Sequence, residues 1–380
     1  MYGRFEDRLT NTALEMRECL GKIEARTPQE LEQAFDAIEQ ARLAGRWVAL
    51  ALDYELAELF EPRLAPRPAR AQAPLTALVF EQARHVPLWN SQAAPALQAS
   101  LDVAPQDYRA ALEQIQAGLR AGEFYQINYT VPVRIHADMP PRDLYAALAA
   151  RHPVAYGAYL DLGGRHVLSL SPELFLEKRG ARIRTRPMKG TRPRDPDPLR
   201  DRANAQELRD SLKDRAENVM IVDLLRNDLG RVARTGTVRV ASLFDVEQYA
   251  SVWTMTSTVE AELDADCGLE ALLRALFPCG SITGAPKLAA MHCIRRLEPW
   301  RRGIYCGSVG FLSPQGDLSL NVSIRTLELD DHGQGVFGAG GGIVLDSDPE
   351  QEWQECLWKA RVLQTPVTLT QRPRHDARQT

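Results

Sequence analysis

Lysine is scarce in this chain. Its 380 residues include only six lysines, at positions 22, 178, 189, 213, 287 and 359, against forty arginines. Lys189 is the one lysine among the arginines of the segment TRPMKGTRPR, residues 185–194. A lysine amine can lose its proton and become a nucleophile, whereas arginine stays charged. Lys189 is therefore a candidate nucleophile, and a solvated surface cation is the alternative.

Cysteines are few, and long apolar runs are missing. The six cysteines form no CxxC pair, which argues against a structural zinc site and a dense disulfide framework. No stretch approaches the roughly 18 apolar residues that a membrane helix needs, and the N-terminus MYGRFEDRLT has no apolar signal core. We therefore expect a cytoplasmic protein that acts without a membrane.

A net charge of −4 argues against a dedicated nucleic-acid binder, although residues 182–194 form a basic strip.

Proline-rich and polar segments divide the chain. Residues 61–75, EPRLAPRPARAQAPL, carry four prolines and predict a linker within a small N-terminal part, residues 1–104. We expect a catalytic domain over residues 105–366. The polar ending predicts a disordered tail over residues 367–380.

Strand-like runs alternate with glycine turns in two regions of the predicted domain. Residues 154–189 and 304–345 both show this pattern, which is typical of antiparallel hairpins. Helical spacing predicts a helix from Pro105 that stops at Gly122. The sequence thus predicts an α+β fold in which antiparallel sheets pack as a β-sandwich core with helices outside.

Two predicted helices each carry a pair of acids three residues apart. The segment 206–230 has apolar residues near helical spacing and predicts one helix, with Asp214 and Glu217 on one face. The second helix carries Glu352 and Glu355. Carboxylate oxygens are the ligands that Mg²⁺ prefers, so these four acids are candidate magnesium ligands. Solvated helix faces with ion pairs are the alternative.

A carboxyl group and a glycine run complete the candidate site. Glu173 lies among apolar residues in LSLSPELFL, a setting that raises a carboxyl pKa and keeps a proton for a leaving group. It is a candidate general acid, and an edge-strand glutamate facing solvent is the alternative. Residues 337–344, FGAGGGIV, bring consecutive glycines whose N–H groups can cradle an anion as a nest does. A plain hairpin end explains this run as well, and no βαβ unit supports dinucleotide binding.

Six motifs occur in a fixed order along the chain: SPELFL, PMKGTRPR, AENVMIVDLLRNDLGRV, GSITGAPKLAAM, YCGSVGF and SIRT. With these motifs, residues from about 105 to 365 resemble the chorismate-utilising enzymes, which include anthranilate, isochorismate, salicylate and aminodeoxychorismate synthases. The resemblance implies the fold of anthranilate synthase component I. The first hundred residues match much less clearly.

Residue 189 distinguishes the branches of that family. Lysine before Gly-Thr is the pattern of the aminodeoxychorismate synthases, whereas the other branches usually have alanine there. Gln126, in FYQINY, stands where the water-activating members carry a lysine base, and its amide cannot take a proton from water. Trp253 and Thr254 stand where anthranilate and salicylate members place a histidine. The resemblance thus implies conversion of chorismate and ammonia to 4-amino-4-deoxychorismate, on the route to 4-aminobenzoate and folate. Anthranilate synthase component I is the nearest alternative.

The resemblance also implies a role for each candidate residue. Lys189 would attack C2 of chorismate while Glu173 protonates the departing C4 hydroxyl, and ammonia would then expel the lysine. The substrate contacts that the resemblance implies are these: Gln126, Gly190, Thr191, Thr283, Tyr305, Arg325, Gly340, Gly341, Gly342 and Lys359.

A cofactor and a partner are implied in the same way. Glu217 and Glu355 would hold Mg²⁺ directly. Asp214 and Glu352 would support it through water. The chain shows no glutaminase signature, so we expect ammonia from a separate glutamine amidotransferase subunit. We expect no tryptophan site, because no serine-bearing motif for one is found in the N-terminal part. A basic-strip RNA-binding protein is the alternative from another class, disfavoured by the net charge and by a lack of aromatic residues in the strip.

Overall fold

The computed structural model describes residues 1–64, 72–249, 252–264 and 266–369. The strands of these ranges are β1 (Tyr2–Asp7), β2 (Thr12–Ala25), β3 (Trp47–Leu52), β4 (Leu75–Val86), β5 (Leu97–Leu101), β6 (Gln126–Ala137), β7 (Tyr156–Asp161), β8 (His166–Ser171), β9 (Leu174–Arg179), β10 (Arg182–Arg186), β11 (Met188–Pro193), β12 (Arg239–Gln248), β13 (Val252–Glu262), β14 (Gly284–Ala285), β15 (Ser308–Leu312), β16 (Leu318–Asn321), β17 (Thr326–Leu329), β18 (Gln334–Ile343) and β19 (Val367–Leu369). The α-helices of the same ranges are α1 (Pro28–Leu43), α2 (Ala57–Phe60), α3 (Pro105–Arg120), α4 (Pro141–Arg151), α5 (Pro198–Asp210), α6 (Leu212–Leu229), α7 (Leu269–Leu276), α8 (Lys287–Leu297) and α9 (Pro349–Lys359).

The strands form two half-sheets that are joined where β1 pairs with β2. One half runs in the order β13, β10, β9, β16, β15, β3, β4, β2. The other runs in the order β1, β7, β8, β17, β18, β6, β5. Strands β11 and β12 both pair with β13, and β14 pairs with β6. Among the described strands every pairing is antiparallel except that of β19 with β5.

Alternation of side chains along the strands forms a core on each face of the sheet. In β3, Ala49 and Ala51 belong to a cluster that also contains Phe80 of the same half and Leu160 of the other half. Leu50, between the two alanines, belongs instead to an outer cluster with α1, α6 and α7. The second half packs its outer face against α3, α4, α8 and α9. The predicted α+β fold, a β-sandwich with helices outside, is therefore confirmed.

The predicted boundary at residue 104 does not separate two sheets. Strand β1 pairs with β7, and β3 pairs with β15, so the N-terminal strands complete the same sandwich as the later ones. The tail predicted from residue 367 begins with a strand, because Val367–Leu369 pairs with β5. Residues 65–71 of the predicted linker and 370–380 of the predicted tail lie outside the described residues.

The single helix predicted over residues 206–230 is two helices, α5 and α6. Ser211 interrupts it with extended backbone angles (φ −64°, ψ 108°), and its hydroxyl accepts a hydrogen bond of 3.2 Å from the Asp214 backbone N–H. A serine side chain that caps a new helix competes with continuation of the old one. Leu212, which the periodicity places on the apolar stripe, is consequently 81% exposed.

Within the described ranges, no helix combines the length and the apolar character that a bilayer-spanning helix needs.

Candidate active site

A cavity of about 600 Å³ lies where β11, α6 and α9 face β18. Its wall includes both predicted catalytic residues, Glu173 and Lys189. The other predicted site residues that line it are Gly190, Thr191, Asp214, Glu217, Tyr305, Arg325, Gly340, Gly341, Gly342, Glu352, Glu355 and Lys359. Motifs that are up to 186 residues apart in the chain thus meet around one space.

Lys189 lies on β11 beside a bulge. The register of β11 against β13 shifts between Lys189 and Thr191, so Gly190 is an extra residue in the ladder. Gly190 has φ +77°, and a Cβ there would lie 2.8 Å from the side chains of Asp214 and Leu208. Only glycine meets both conditions without strain. A bulge re-aims the neighbouring side chains, and here it accompanies the placement of Lys189 at the cavity.

Glu173 lies in the short connection between β8 and β9 and is 3% exposed. Burial raises the pKa of its carboxyl group to about 7, although the Ser281 hydroxyl, the Lys189 ammonium and the Met188 backbone act to lower it. Its Oε1 atom has no hydrogen-bond partner among the described residues. A carboxyl group with this pKa is partly protonated at neutral pH and can give its proton to a leaving group.

Two carboxylate pairs approach each other from α6 and α9. Burial raises the pKa of Glu217, and the charges of Asp214 and Glu355 raise it further. Burial likewise raises the pKa of Glu352, with Glu355 adding to the shift. The ammonium of Lys359, 2.7 Å from Glu355, lowers the pKa of Glu355. Since the charge of Glu355 on α9 raises the pKa of Glu217 on α6, the two helices bring like charges close together.

The donor chemistry of these four acids suits a divalent cation. Carboxylate oxygens are hard ligands, and a cation would relieve the repulsion just described. Within the described ranges, however, no three acidic, histidine or cysteine side chains converge closely enough to form a metal site by themselves. A divalent cation bound to these acids would therefore complete its coordination with water and with an oxygen of a bound anion.

Arg325 supplies an unpaired cation. Its backbone has φ +50°, an uncommon value for a residue other than glycine and one that recurs at functional sites. Its half-buried side chain lines the cavity, and among the described residues its guanidinium has no carboxylate partner. A half-buried cation without a counterion is suited to an anionic ligand.

The glycine run is a strand rather than a nest. Gly340–Gly342 lie in β18 and pair with β6, so their N–H groups do not all converge on one point. Strand β17 pairs with β18 only as far as Phe337, which leaves one backbone edge of the glycine run unpaired among the described strands. A Cβ on Gly341 would lie 3.3 to 3.6 Å from three side chains of the cavity, those of Glu352, Lys359 and Glu355. The glycines therefore let the helix α9 groups approach the strand closely.

Gln126 and Thr283 lie outside the cavity wall. Gln126 is fully buried behind Gly342, and neither polar atom of its amide has a hydrogen-bond partner in the described structure. A Cβ on Gly342 would clash with that amide and lie 3.1 Å from Nζ of Lys189, so Gln126 is next to the amine. Thr283 is fully buried and donates its hydroxyl to the carbonyls of Cys279 and Gly280. It stabilises a turn and is not part of the cavity wall.

Several residues of the cavity wall were not predicted as site residues, and two of them, Lys213 and Ser281, act on the predicted acids. Lys213 lines it, and its charge acts to lower the pKa of Glu217 and Glu355. It is one of only six lysines, and that rarity was a usable signal. Ser281 also lines the cavity and acts on Glu173. A lone serine in a glycine-rich turn carries no such signal.

Comparisons with known proteins agree with this geometry. A family described as chorismate binding enzyme matches residues 6–365. Aminodeoxychorismate synthase component 1 of Salmonella typhimurium is 44% identical over 261 residues, which cover 69% of this chain and 57% of that protein. The Escherichia coli protein of the same name is 46% identical over 258 residues, 67% of this chain and 56% of that protein. Anthranilate synthase component 1 of Streptomyces coelicolor is 45% identical over 252 residues, 66% of this chain and 49% of that protein. The chain thus spans about half the length of these relatives.

A solved structure supports the fold. Anthranilate synthase component I from Streptococcus pneumoniae superposes with a TM-score of 0.82 at 23% identity, covering 93% of this chain and 92% of that one. The family match extends over nearly the whole chain. The chain therefore belongs to the family of chorismate-binding enzymes.

Proposed function

We propose that this protein is an aminodeoxychorismate synthase component I, which converts chorismate and ammonia to 4-amino-4-deoxychorismate. The observation that carries the proposal is that Lys189 and Glu173 line one cavity, where an amine nucleophile is paired with an acid whose pKa is about 7. The names of the Salmonella and Escherichia coli relatives point to the same activity.

In the first step the neutral amine of Lys189 bonds to ring C2, both ring double bonds shift by one position around the ring towards C4, and the C4–O bond breaks. Glu173 gives its proton to the departing oxygen, which leaves as water, and becomes a carboxylate. The adduct nitrogen carries the positive charge. Covalent catalysis of this kind divides one difficult substitution into two easier ones.

In the second step ammonia bonds to C4, both double bonds shift back, and the C2–N bond breaks with its electron pair on Lys189. The enzyme regains a neutral amine, and the product amino group holds the positive charge. Arginine at position 189 could not perform this chemistry, since a guanidinium stays protonated. A lysine in an arginine-rich strand is thereby explained.

We propose that Mg²⁺ is held by Glu217 and Glu355, with Asp214 and Glu352 supporting through water. When bound, the ion would neutralise these acids and hold a substrate carboxylate by its negative charge. Arg325, with Tyr305 beside it in the wall, would bind the other carboxylate of chorismate. The open backbone edge of the glycine run would orient the bound substrate. Each of the two chorismate carboxylates would thus have its own positive partner, the ion for one and Arg325 for the other.

A separate glutamine amidotransferase subunit is the proposed ammonia source, and free ammonium would replace it in vitro. The designation of the relatives as component 1 supports a second component. The proposed setting is the cytoplasm, in the supply of 4-aminobenzoate for folate.

Anthranilate synthase component I is the second candidate. The 45% identity with the Streptomyces coelicolor protein of that name is close to the values for the aminodeoxychorismate synthases. Lys189 in the cavity favours amination at C4, because the alternative reaction does not use a lysine nucleophile. The two candidates differ in their product.

Four of the five arginines of the basic strip are paired with carboxylates of the fold. Arg184 pairs with Glu177, Arg186 with Glu247, and Arg194 with Asp201. Arg192 likewise pairs with Glu207 and Asp214. Charges that are neutralised within the fold contribute little to phosphate binding, so the RNA-binding alternative loses its support.

Product analysis tests the proposal. The enzyme is incubated with chorismate, Mg²⁺ and an ammonium salt, and the products are separated and identified by mass. We expect 4-amino-4-deoxychorismate, which an added lyase converts to 4-aminobenzoate. The Lys189→Ala variant is the control and should lose most of this product. Fluorescent anthranilate as the main product would establish the second candidate instead.

A further inference from the structure

The strand that carries Lys189 has backbone hydrogen bonds to a single neighbouring strand within the described ranges. Among the described strands β11 pairs only with β13, and none of the residues Met188–Pro193 is fully buried. The bulge at Gly190 also takes one peptide out of the ladder. A strand with one partner and an interrupted ladder has fewer hydrogen bonds to fix its position.

Thr254, opposite the bulge, replaces the missing ladder contact. It lies on β13 and is 3% exposed, and its hydroxyl donates a hydrogen bond of 3.1 Å to the carbonyl oxygen of Gly190. The bond joins the Gly190–Thr191 peptide, the second one after Lys189, to β13. The side chain of Thr254 therefore fixes the backbone from which the amine extends.

Trp253, the preceding residue, anchors the other end of β11. Its indole N–H donates to Oδ1 of Asp201 at 2.9 Å. Asp201 also accepts two hydrogen bonds, of 2.8 and 2.7 Å, from Arg194, the residue that follows β11. The guanidinium of Arg194 lies 4.9 Å from the centre of the Trp253 ring. Stacking and hydrogen bonding together tie this end of the strand to β13 and α5.

We infer that Trp253 and Thr254 form a clamp that holds Lys189 in the geometry needed for attack. The two residues are positioning residues in this account, since they act through the backbone of β11. The chemical part of the inference rests on the proposed function, because it concerns attack by Lys189 on chorismate. In the sequence, Trp253 and Thr254 stand out only as a departure from a family pattern. Their contacts in the fold connect them to both ends of β11.

The clamp predicts a loss in turnover rather than in binding. Displacement of a nucleophile by about 1 Å lowers the rate roughly 100-fold even when the substrate is still bound. The proposed contacts to the substrate carboxylates lie on β18, α6, α9 and Arg325, whereas the hydroxyl of Thr254, which also lines the cavity, is bonded to β11. Loosening β11 should thus lower kcat and leave KM nearly unchanged.

The first test replaces the hydroxyl by a methyl group of the same size, in the variant Thr254→Val. We expect kcat to fall about 10- to 100-fold with KM within a factor of about two. The Thr254→Ser variant keeps the hydroxyl and should retain most of the wild-type kcat. Thr256→Val is the matched control, because Thr256 lies on the same strand, is also buried, and donates to Asp245 on β12 instead of to β11. It should keep the wild-type kcat.

The second test measures amide hydrogen exchange without any substrate. In Thr254→Val the amides of residues 188–192 should exchange about 2- to 10-fold faster, as expected for loss of one hydrogen bond. Trp253→Phe keeps an aromatic ring but removes the indole donor, and it should accelerate exchange of the Thr191 and Arg192 amides. Neither change is expected in Thr256→Val.

The outcomes separate this inference from the proposed function. If Thr254→Val leaves both kcat and exchange of β11 unchanged, or if Thr256→Val lowers kcat equally, the clamp is wrong. An equal rise in KM would show that Thr254 binds substrate and does not position Lys189. If the wild-type protein fails to aminate chorismate, the proposed function is wrong, and the exchange experiment alone still decides whether the clamp exists.

Discussion

Two buried polar clusters in this protein are built in opposite ways. Arg302 and Glu298 are each 1% exposed and pair at 2.7 Å. Arg302 also donates to the carbonyls of Ile282 and Asn128, and Glu298 accepts from the backbone N–H of Thr130. Every strong group of this cluster has a partner within the fold.

The cavity cluster leaves its polar groups open. Oε1 of Glu173 has no hydrogen-bond partner among the described residues, and Arg325 has no carboxylate partner among them. Buried polar groups without partners cost free energy, and structures keep them where a ligand completes them. Closed networks therefore stabilise the fold, whereas the open one identifies the site of chemistry.

The largest expected effect comes from removing the acid of the open cluster. Glu173→Gln keeps the shape of the side chain but cannot release a proton, so kcat should fall about 10²- to 10⁴-fold. The melting temperature should not fall, because the amide avoids burying a charge. Steady-state kinetics with chorismate and ammonium, together with thermal unfolding, check both statements. A variant with near-normal kcat would show that Glu173 is not the proton donor.

Removing one partner from the closed cluster should lower the stability of the fold. Arg302→Met leaves Glu298 buried without its partner, and we expect the free energy of unfolding to drop by about 3 to 5 kcal/mol. Arg274→Met is the matched control, because Arg274 makes an exposed pair with Glu270 at 2.7 Å that contributes only about 0.3 to 0.5 kcal/mol. Urea unfolding compares the two variants. Equal losses would remove the distinction between closed and open clusters.

The raised pKa of Glu173 predicts the sign of two pH effects. Turnover needs the protonated acid, so kcat/KM should fall as the pH rises through about 7, and Glu173→Gln should lack this limb. The native carboxyl also keeps its proton to a higher pH than the unfolded one, whose pKa is near the ordinary 4.5. The free energy of unfolding of the wild type, relative to Glu173→Gln, should therefore decline between about pH 4.5 and pH 7. A difference that rises with pH would contradict the raised pKa.

The smallest effect is expected from a methyl group at the edge of the open cluster. In Gly342→Ala the new Cβ would clash with Gln126 and lie 3.1 Å from Nζ of Lys189, so kcat should fall about tenfold through displacement of the amine. Gly21→Ala is the control, since nothing lies within 4 Å of its added Cβ. Parallel kinetics of the two variants provide the comparison. Normal activity of Gly342→Ala would mean that Gln126 and Lys189 move aside freely.

Much of the fold could be predicted because local signals agree with it. Glycine turns between alternating runs indicated the hairpins, and helical spacing from Pro105 indicated α3. The break at Ser211 was missed, since a serine cap and a helix interior look alike until the backbone direction is known. The pairing of β1 with β7 and of β19 with β5 depends on contacts distant in sequence, which no local pattern reports.

The site was predictable in its groups and less so in its arrangement. Lys189, Glu173 and the acid pairs carried signals of residue type and spacing, and they meet in one cavity. The interpretation of the glycine run as a nest was wrong, because pairing with β6 keeps it extended. Thr254 escaped notice as a partner of Gly190, since a bulge and the side chain that braces it appear only in three dimensions.

The covalent adduct is the most direct test of the account. The enzyme is mixed with chorismate and Mg²⁺ in the absence of ammonia, quenched, digested and analysed by mass spectrometry. The account predicts an added mass equal to chorismate less one water on Lys189, and none on the other cavity lysines, Lys213 and Lys359. An enzyme that turns over chorismate with ammonia but never carries this mass on Lys189 would contradict it.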